Sequence, residues 1–265
     1  MNVQKKLRVL ITGASSGLGQ EMALQLGQEG CRVAITGRRE DRLREASNAI
    51  EAAGGECLGL LGDVTDYALV KSHYALIREK WGGLDWAVLN AGISDSTSAL
   101  NFSAQKYHHT FAVNIGGVVN WMEAVLPDMI KARSGTIAGI SSLASFKGLP
   151  QNGAYCASKA ALSTLLESTR VDLRDTGVSI VTVCPGFVKS EITAKRNPDA
   201  MPFLLETEDG ARRILRGIRR QKRVVHFPWQ LSYPMKYLLG PMPSFLYDWL
   251  ASKVKLRPHK GGGIL

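Results

Sequence analysis

Short runs of consecutive apolar, strand-favouring residues recur along the chain: LRVLIT (7–12), CRVAIT (31–36), ECLGLLG (56–62), DWAVLNAG (85–92), GTIAGISS (135–142), VSIVTVCPG (178–186) and RVVHF (223–227). They show little polar alternation, which is the pattern of strands covered on both faces. Longer segments with helical spacing separate them. REDRLREASNAIEAAGG ends on a glycine pair, and TDYALVKSHYALIREKWGG carries a cap at Asp66 and stops at Gly82 and Gly83. A helical pattern spans about 103–132, with Pro127 as the expected kink, and further helices cover 155–177 and about 207–221. Strands alternating with helices predict an α/β, doubly wound (Rossmann) parallel sheet of about seven strands with helices on both faces. In such a sheet ligands bind beyond the carboxyl ends of the strands, near the point where strand order reverses. The chemistry is therefore expected just after Thr12, Thr36, Leu61, Asn90, Ser141 and Cys184.

Composition narrows the picture. The 265 residues are 45% apolar and 21% charged, ordinary for one large globular domain. No apolar run approaches about 18 residues, and the N-terminus passes from a short polar lead directly into a strand. Cys31, Cys57, Cys156 and Cys184 are scattered without metal spacing, and no histidine pair stands beside a carboxylate at ligand spacing, so no metal is expected. A reducing, cytoplasmic setting is expected. The net charge of +10 is unevenly placed: residues 210–265 hold 12 Lys/Arg and one acid, Asp248, while the rest of the chain is nearly neutral. The expected organisation is one dinucleotide-binding and catalytic domain, 1–228, with a C-terminal helical extension, 229–265.

TGASSGLG (12–19) links the first strand to its helix. Gly13 permits the turn, and Gly17 and Gly19 let backbone come close to a ligand. A helix N-terminus offers unpaired N–H groups that suit a pyrophosphate. No Lys-Ser/Thr follows the glycines, which excludes an ATP-type loop. Cofactor contacts are thus expected from Gly13, Ser15, Ser16, Gly17, Leu18 and Gly19. A plain glycine turn would use the same residues. At the end of the second strand, where an NAD site usually carries an acid, the chain reads TGRRED. Gly37 removes the carboxylate, and Arg38 and Arg39 can pair with a ribose 2′-phosphate. This points to NADP(H). The plainer alternative is that either arginine pairs only with Glu40 or Asp41.

In GAYCASK (153–159), Tyr155 and Lys159 stand four apart, just over one helical turn. They are either a surface pair or a phenol whose proton is loosened by a neighbouring ammonium. A free tyrosine titrates near 10, and a nearby positive charge lowers that value toward neutrality, where proton exchange is efficient.

With TGASSGLG (12–19), GDV (62–64), LNAG (89–92), VN (113–114), ISS (140–142), YCASK (155–159) and PG (185–186) in this order, the chain resembles the short-chain dehydrogenase/reductase family over roughly residues 7–227. The resemblance implies a role for each matching position. Asp63 would bond the adenine amino group and Val64 would line its pocket. Asn90, Ala91 and Gly92 would form the wall by the adenine ribose. Pro185, Gly186, Val188 and Ser190 would hold the nicotinamide end. Tyr155 would exchange the proton with a carbonyl or alcohol oxygen, Ser142 would bond that oxygen, Lys159 would tune Tyr155 and hold the nicotinamide ribose, and Asn114 would fix a water leading from Lys159 to solvent. Ser141 should face away from Ser142, because adjacent strand residues alternate. The family's second Asn is replaced here by Leu89, and its usual Thr by Ser190.

The segment 190–210 follows the sixth strand as an expected lid. Met201, Phe203, Leu204 and Leu205 either meet a hydrophobic carbonyl or alcohol substrate or simply pack on the body. The ending departs from the family: Ser244 is expected to cap a short helix carrying Phe245, Leu246, Trp249, Leu250 and Val254, with Lys253 and Lys255 beside it. Aromatics mixed with lysines suit peripheral membrane contact through 229–260. An arm packed on its own subunit or a partner is the reading favoured. No nucleic-acid motif accompanies the charge. A homodimer through the long helices at 103–132 and 155–176 is implied by the resemblance. A cofactor-binding regulatory or scaffolding protein on the same fold is the alternative, and the intact Ser142, Tyr155 and Lys159 count against it.

Overall fold

The computed structural model describes residues 6–194 and 201–253. Seven strands form one sheet: β1 (Arg8–Ile11), β2 (Arg32–Gly37), β3 (Glu56–Leu61), β4 (Trp86–Leu89), β5 (Gly135–Ile140), β6 (Val178–Pro185) and β7 (Val224–Phe227). All neighbours are parallel, in the order β3-β2-β1-β4-β5-β6-β7. The order reverses between β1 and β4, so the crevice beyond their carboxyl ends is the switch point.

Helices cover both faces: α1 (Gly17–Gln28), α2 (Glu40–Ala52), α3 (Tyr67–Trp81), α4 (Ala104–Phe111), α5 (Gly117–Ala132), α6 (Gly153–Asp172), α7 (Glu191–Ala194), α8 (Thr207–Arg219), α9 (Trp229–Tyr233) and α10 (Ser244–Ser252). The strands' apolar runs are divided between two cores. On one face Val9, Ile11, Val33 and Ile35 pack against Met22, Leu26, Leu43, Ile214 and Ile218 of α1, α2 and α8. On the other, Leu10, Ala87, Leu89 and Ile137 pack against Ile77, Trp121, Val125 and Leu166 of α3, α5 and α6. Both faces being buried is why the central strands read as unbroken apolar stretches; the edge strand β3 is only partly covered. Leu89, which replaces the family's second Asn, lies 1% exposed in this second core.

The caps follow the chain chemistry. Asp66 accepts from Leu69 N at 2.9 Å, and Gly82 closes α3 at φ 75°. One expected helix carries an unforeseen turn, and one expected cap fails. The helical pattern at 103–132 appears as a continuous run from α4 to α5, with a π-helical turn (Ala112–Gly116) inside it and Pro127 within α5. Asn114 sits in that turn, its side-chain amide engaged in tertiary hydrogen bonds, a setting in which π turns recur. Ser244 does not cap α10: it is the first helical residue, Pro243 precedes it, and no side chain caps the end.

The ending is partly embedded. Met235, in a π-helical stretch (Pro234–Leu239), joins Leu143 and Cys184 in a small buried cluster, with Phe146, Leu231 and Leu239 beside it. Lys147 Nζ donates to Met242 O at 3.1 Å and Gly240 O at 3.4 Å and lies 4.8 Å from the centre of the Tyr247 ring; the Tyr247 hydroxyl donates to Gly148 O. Val254, Lys255 and the remaining tail lie outside the described residues.

Candidate active site

The glycine loop and the β4 turn are stitched together. Thr12 Oγ1 accepts from Asn90 N at 2.9 Å and Ala91 N at 3.0 Å, and Asn90 Nδ2 donates to Thr12 O at 3.0 Å and Gly13 O at 3.1 Å. Space there is tight. A Cβ on Gly13, at φ 64°, would lie 2.8 Å from Ala91 Cα, and one on Gly19 would lie 2.4 Å from Gly13 O. The glycines thus leave bare backbone at the start of α1, the cradle a pyrophosphate needs. Leu18 points its side chain toward Gly210 of α8 and offers only backbone to the loop. Ser190 comes to Gly17: a Cβ there would be 3.3 Å from Ser190 Cβ. Ser190 is fixed by Thr193, whose Oγ1 accepts from Ser190 N at 2.9 Å.

Neither arginine pairs with Glu40 or Asp41. Arg38 Nη1 meets Asp63 Oδ2 at 3.3 Å, and Arg39 Nη1 donates to Glu191 Oε1 at 2.8 Å. Arg39 Nη2 also donates to Ser16 Oγ at 2.9 Å and Ser15 Oγ at 3.2 Å. Burial pulls the Asp63 carboxyl upward, but the Thr65 N–H and hydroxyl and the Arg38 guanidinium outweigh it and hold it below the usual carboxylate range. Val64 is buried against α5, where a Cβ on Gly117 would lie 2.4 Å from its Cγ2.

The second half of the site is interior. Asn114 is 0% exposed; its Oδ1 accepts from Ile93 N at 2.8 Å, and its Nδ2 donates to Ile93 O at 3.0 Å and Ser158 Oγ at 2.9 Å. Ser158 Oγ donates in turn to Tyr155 O at 2.8 Å, so the π turn, the β4 loop and α6 are held in one polar network. Lys159 Nζ donates to Ile140 O at 2.7 Å and lies 5.7 Å from the Tyr155 ring centre. Burial pushes the Lys159 ammonium down to about 8. A Cβ on Gly92 would stand 3.2 Å from both Lys159 Nζ and Asn114 Oδ1, which places Gly92 between these two groups. Tyr155 itself is half-buried.

Ser141 and Ser142 diverge as expected of adjacent strand residues. Ser141 Oγ donates to Lys159 O at 2.9 Å in the interior, whereas Ser142 Oγ accepts from Ala144 N at 3.1 Å at the strand end. Pro185 is buried at the end of β6, and Gly186 N donates to Phe227 O at 2.7 Å. Val188 is buried among the side chains of α8 and its surroundings. In the expected lid, Met201 is buried and Leu205 packs on the core, while Phe203 is exposed. Three contributors were not singled out from the sequence: Thr12, Ser158 and Glu191. Thr12 and Ser158 lay inside quoted motifs as unremarked letters. Glu191 meets Arg39 across 152 positions, and nothing local signals it.

A doubly wound sheet with a glycine cradle and a Tyr155–Lys159 helical turn at its switch point defines a class of dinucleotide-fold oxidoreductases. The family described as short chain dehydrogenase matches residues 7–201. An uncharacterized oxidoreductase of Myxococcus xanthus (strain DK1622) is 41% identical over 246 residues, 93% of this chain and 96% of that protein. One from Staphylococcus aureus (strain N315) is 30% identical over 215 residues, 81% of this chain and 92% of that protein. A short chain dehydrogenase/reductase from Burkholderia phymatum, solved in complex with NAD, superposes with a TM-score of 0.81 at 24% identity, covering 88% of this chain and 92% of that one. The chain belongs to the short-chain dehydrogenase/reductase family of oxidoreductases.

Proposed function

We propose that the protein is an NADP(H)-dependent oxidoreductase that interconverts a carbonyl and a secondary alcohol on a hydrophobic small molecule. The observation that carries this reading is the buried Lys159 ammonium beside Tyr155, anchored to the end of β5 next to the Asn114–Ser158 network. A plain surface pair would leave that lysine in water, and burying it without a task costs stability.

The cradle fits a nicotinamide dinucleotide: the loop of Gly13, Ser15, Ser16, Gly17, Leu18 and Gly19, with bare backbone at its glycines, for the pyrophosphate, Asp63, Val64, Asn90, Ala91 and Gly92 along the adenosine side, and Pro185, Gly186, Val188 and Ser190 opposite. Arg38 and Arg39 would take the 2′-phosphate. When bound, the cofactor supplies or accepts a hydride. Tyr155 gives its phenolic proton to the carbonyl oxygen in reduction and takes it back in oxidation. Ser142 donates a hydrogen bond to the same oxygen. Lys159 keeps the phenol poised and holds the ribose hydroxyls, and Asn114 orders the water that returns the proton.

Exposed Phe111, Val119 and Val171 on α4, α5 and α6 support a homodimer through those helices. Trp229, Tyr233, Tyr237, Phe245 and Trp249 are exposed beside Lys236 and Lys253, which supports peripheral contact of a cytoplasmic enzyme with an anionic membrane surface. Among the described residues no helix is long and apolar enough to cross a membrane.

The test is a panel of apolar ketones, aldehydes and secondary alcohols followed by cofactor absorbance with NADPH, NADH and their oxidised forms. Turnover with NADPH or NADP that vanishes in Tyr155→Phe is expected. Turnover that survives Tyr155→Phe would refute the assigned chemistry.

A further inference from the structure

Arg39 is bonded to two elements at once. Its Nη1 holds Glu191, the first residue of α7, while its Nη2 holds the Ser15 and Ser16 hydroxyls just before α1. The Glu191 carboxylate therefore sits at the glycine loop as an anion received by a guanidinium. Its carboxyl is held below the usual glutamate range, first by the hydrogen bond from Arg39, then by that residue's charge and the Ser16 hydroxyl. The neighbouring residue reinforces the placement: Ser190 lies directly over Gly17, and Thr193 pins the Ser190 backbone. A carboxylate and a phosphate are the same kind of guest for an arginine fork, and one fork cannot serve both in the same place.

We propose that Glu191 is an internal stand-in for the 2′-phosphate of the cofactor: it occupies Arg39 and Ser16 in the resting chain and must give them up when a 2′-phosphorylated adenine nucleotide binds. Glu191 is then a specificity-determining residue that works by competition. An adenine nucleotide without the 2′-phosphate carries no group that contests Arg39, so it leaves the pair intact. This inference rests on the NADP(H) reading above.

The pair is open to solvent, with side chains 43% and 58% exposed, so its removal should change affinity by a small factor. Calorimetric titration of the full chain with adenosine 2′,5′-bisphosphate and with adenosine 5′-monophosphate reads it directly. Glu191→Gln, an exposed and nearly isosteric change, is expected to tighten the bisphosphate about three- to fivefold and to leave the monophosphate within about twofold. In an Arg39→Ala background the same change should have no effect on the bisphosphate. If wild type prefers the bisphosphate but Glu191→Gln does not tighten it, the stand-in is refuted while the cofactor reading survives. If Glu191→Gln weakens the monophosphate, Glu191 is a ribose ligand and the inference is again refuted. If wild type does not distinguish the two nucleotides, the 2′-phosphate reading fails and the stand-in fails with it.

Discussion

Lys159 is 4% exposed and Asn114 is 0% exposed, and each bonds to groups that folding itself brings within reach: Ile140 O, the Ile93 backbone and Ser158. Arg38 and Arg39 are 56% and 43% exposed along their side chains and pair with Asp63 and Glu191, acids to which the proposals above give other work. Buried polar groups left unpaired are costly, so the interior must be complete before any ligand arrives. Exposed ion pairs are worth about 1 kcal/mol or less, so partners at the rim exchange easily. In the proposed reading the chemistry is built into the folded chain, while the choice of cofactor rests on contacts cheap enough to swap.

The sharpest way to break that contrast is at Tyr155. Tyr155→Phe should lower kcat by about a thousandfold and leave the dissociation constant for NADPH, read by fluorescence titration, nearly unchanged. A matching loss of cofactor affinity would mean that the interior and the rim are not separable.

Acidity gives the next largest effect. Below about pH 8 Lys159 carries its proton, and above it the ammonium is lost because burial penalises the charge. The kcat/KM for carbonyl reduction should therefore fall about tenfold per pH unit above pH 8. Stability should move the other way. The unfolded chain keeps this proton to about 10.5, so between pH 8 and 10.5 it binds more protons than the folded chain, and this group's contribution to stability rises with pH. Parallel decline of kcat/KM and denaturation midpoint across that window would point to unfolding in place of Lys159.

At the rim, Arg38→Asp should weaken NADPH by roughly 10- to 100-fold, the range of a lost charged hydrogen bond, with NADH changed little and the NADPH loss shrinking as salt rises. An unchanged preference would overturn the assignment of the 2′-phosphate to this corner. Gly92→Ala is a smaller probe of the interior. Its Cβ would press on Lys159 Nζ and Asn114 Oδ1 at 3.2 Å, and a stability loss of about 1–3 kcal/mol by denaturant titration is expected. The smallest effect belongs to the arm: Trp229→Ser with Trp249→Ser should reduce co-sedimentation with anionic vesicles several-fold without altering turnover of a soluble substrate.

The sheet and its switch point were legible because the central strands are buried on both faces and so write unbroken apolar runs, although the edge strand β3 is only partly covered. Asp66 and Gly82 were legible for the same local reason: a cap is decided within one turn of chain. The π turn at 112–116 was not, since one extra residue in one turn barely disturbs a 3.6-residue pattern. Ser244 looked like a cap because serine favours that position, yet the chain enters α10 one residue earlier, at Pro243. From spacing and resemblance the motif residues Gly13 and Asn90 could be placed at strand ends, and Tyr155 and Lys159 on the helix that follows. Their partners could not, because Thr12 with Asn90, Asn114 with Ser158 and Arg39 with Glu191 meet only through the fold.

The clasp between Lys147 and the ending of the chain has a consequence for anyone who shortens it. Lys147 lies on the stretch that joins Ser142 to Tyr155, and its ammonium is bound to the carbonyls of Gly240 and Met242 and to the face of Tyr247. Cutting at residue 228 would strip all three partners from that stretch and take Met235 away from Leu143 and Cys184. The ending is a buttress for the stretch that carries Ser142 toward Tyr155, so exchanging it between relatives should loosen that stretch even with every motif residue kept.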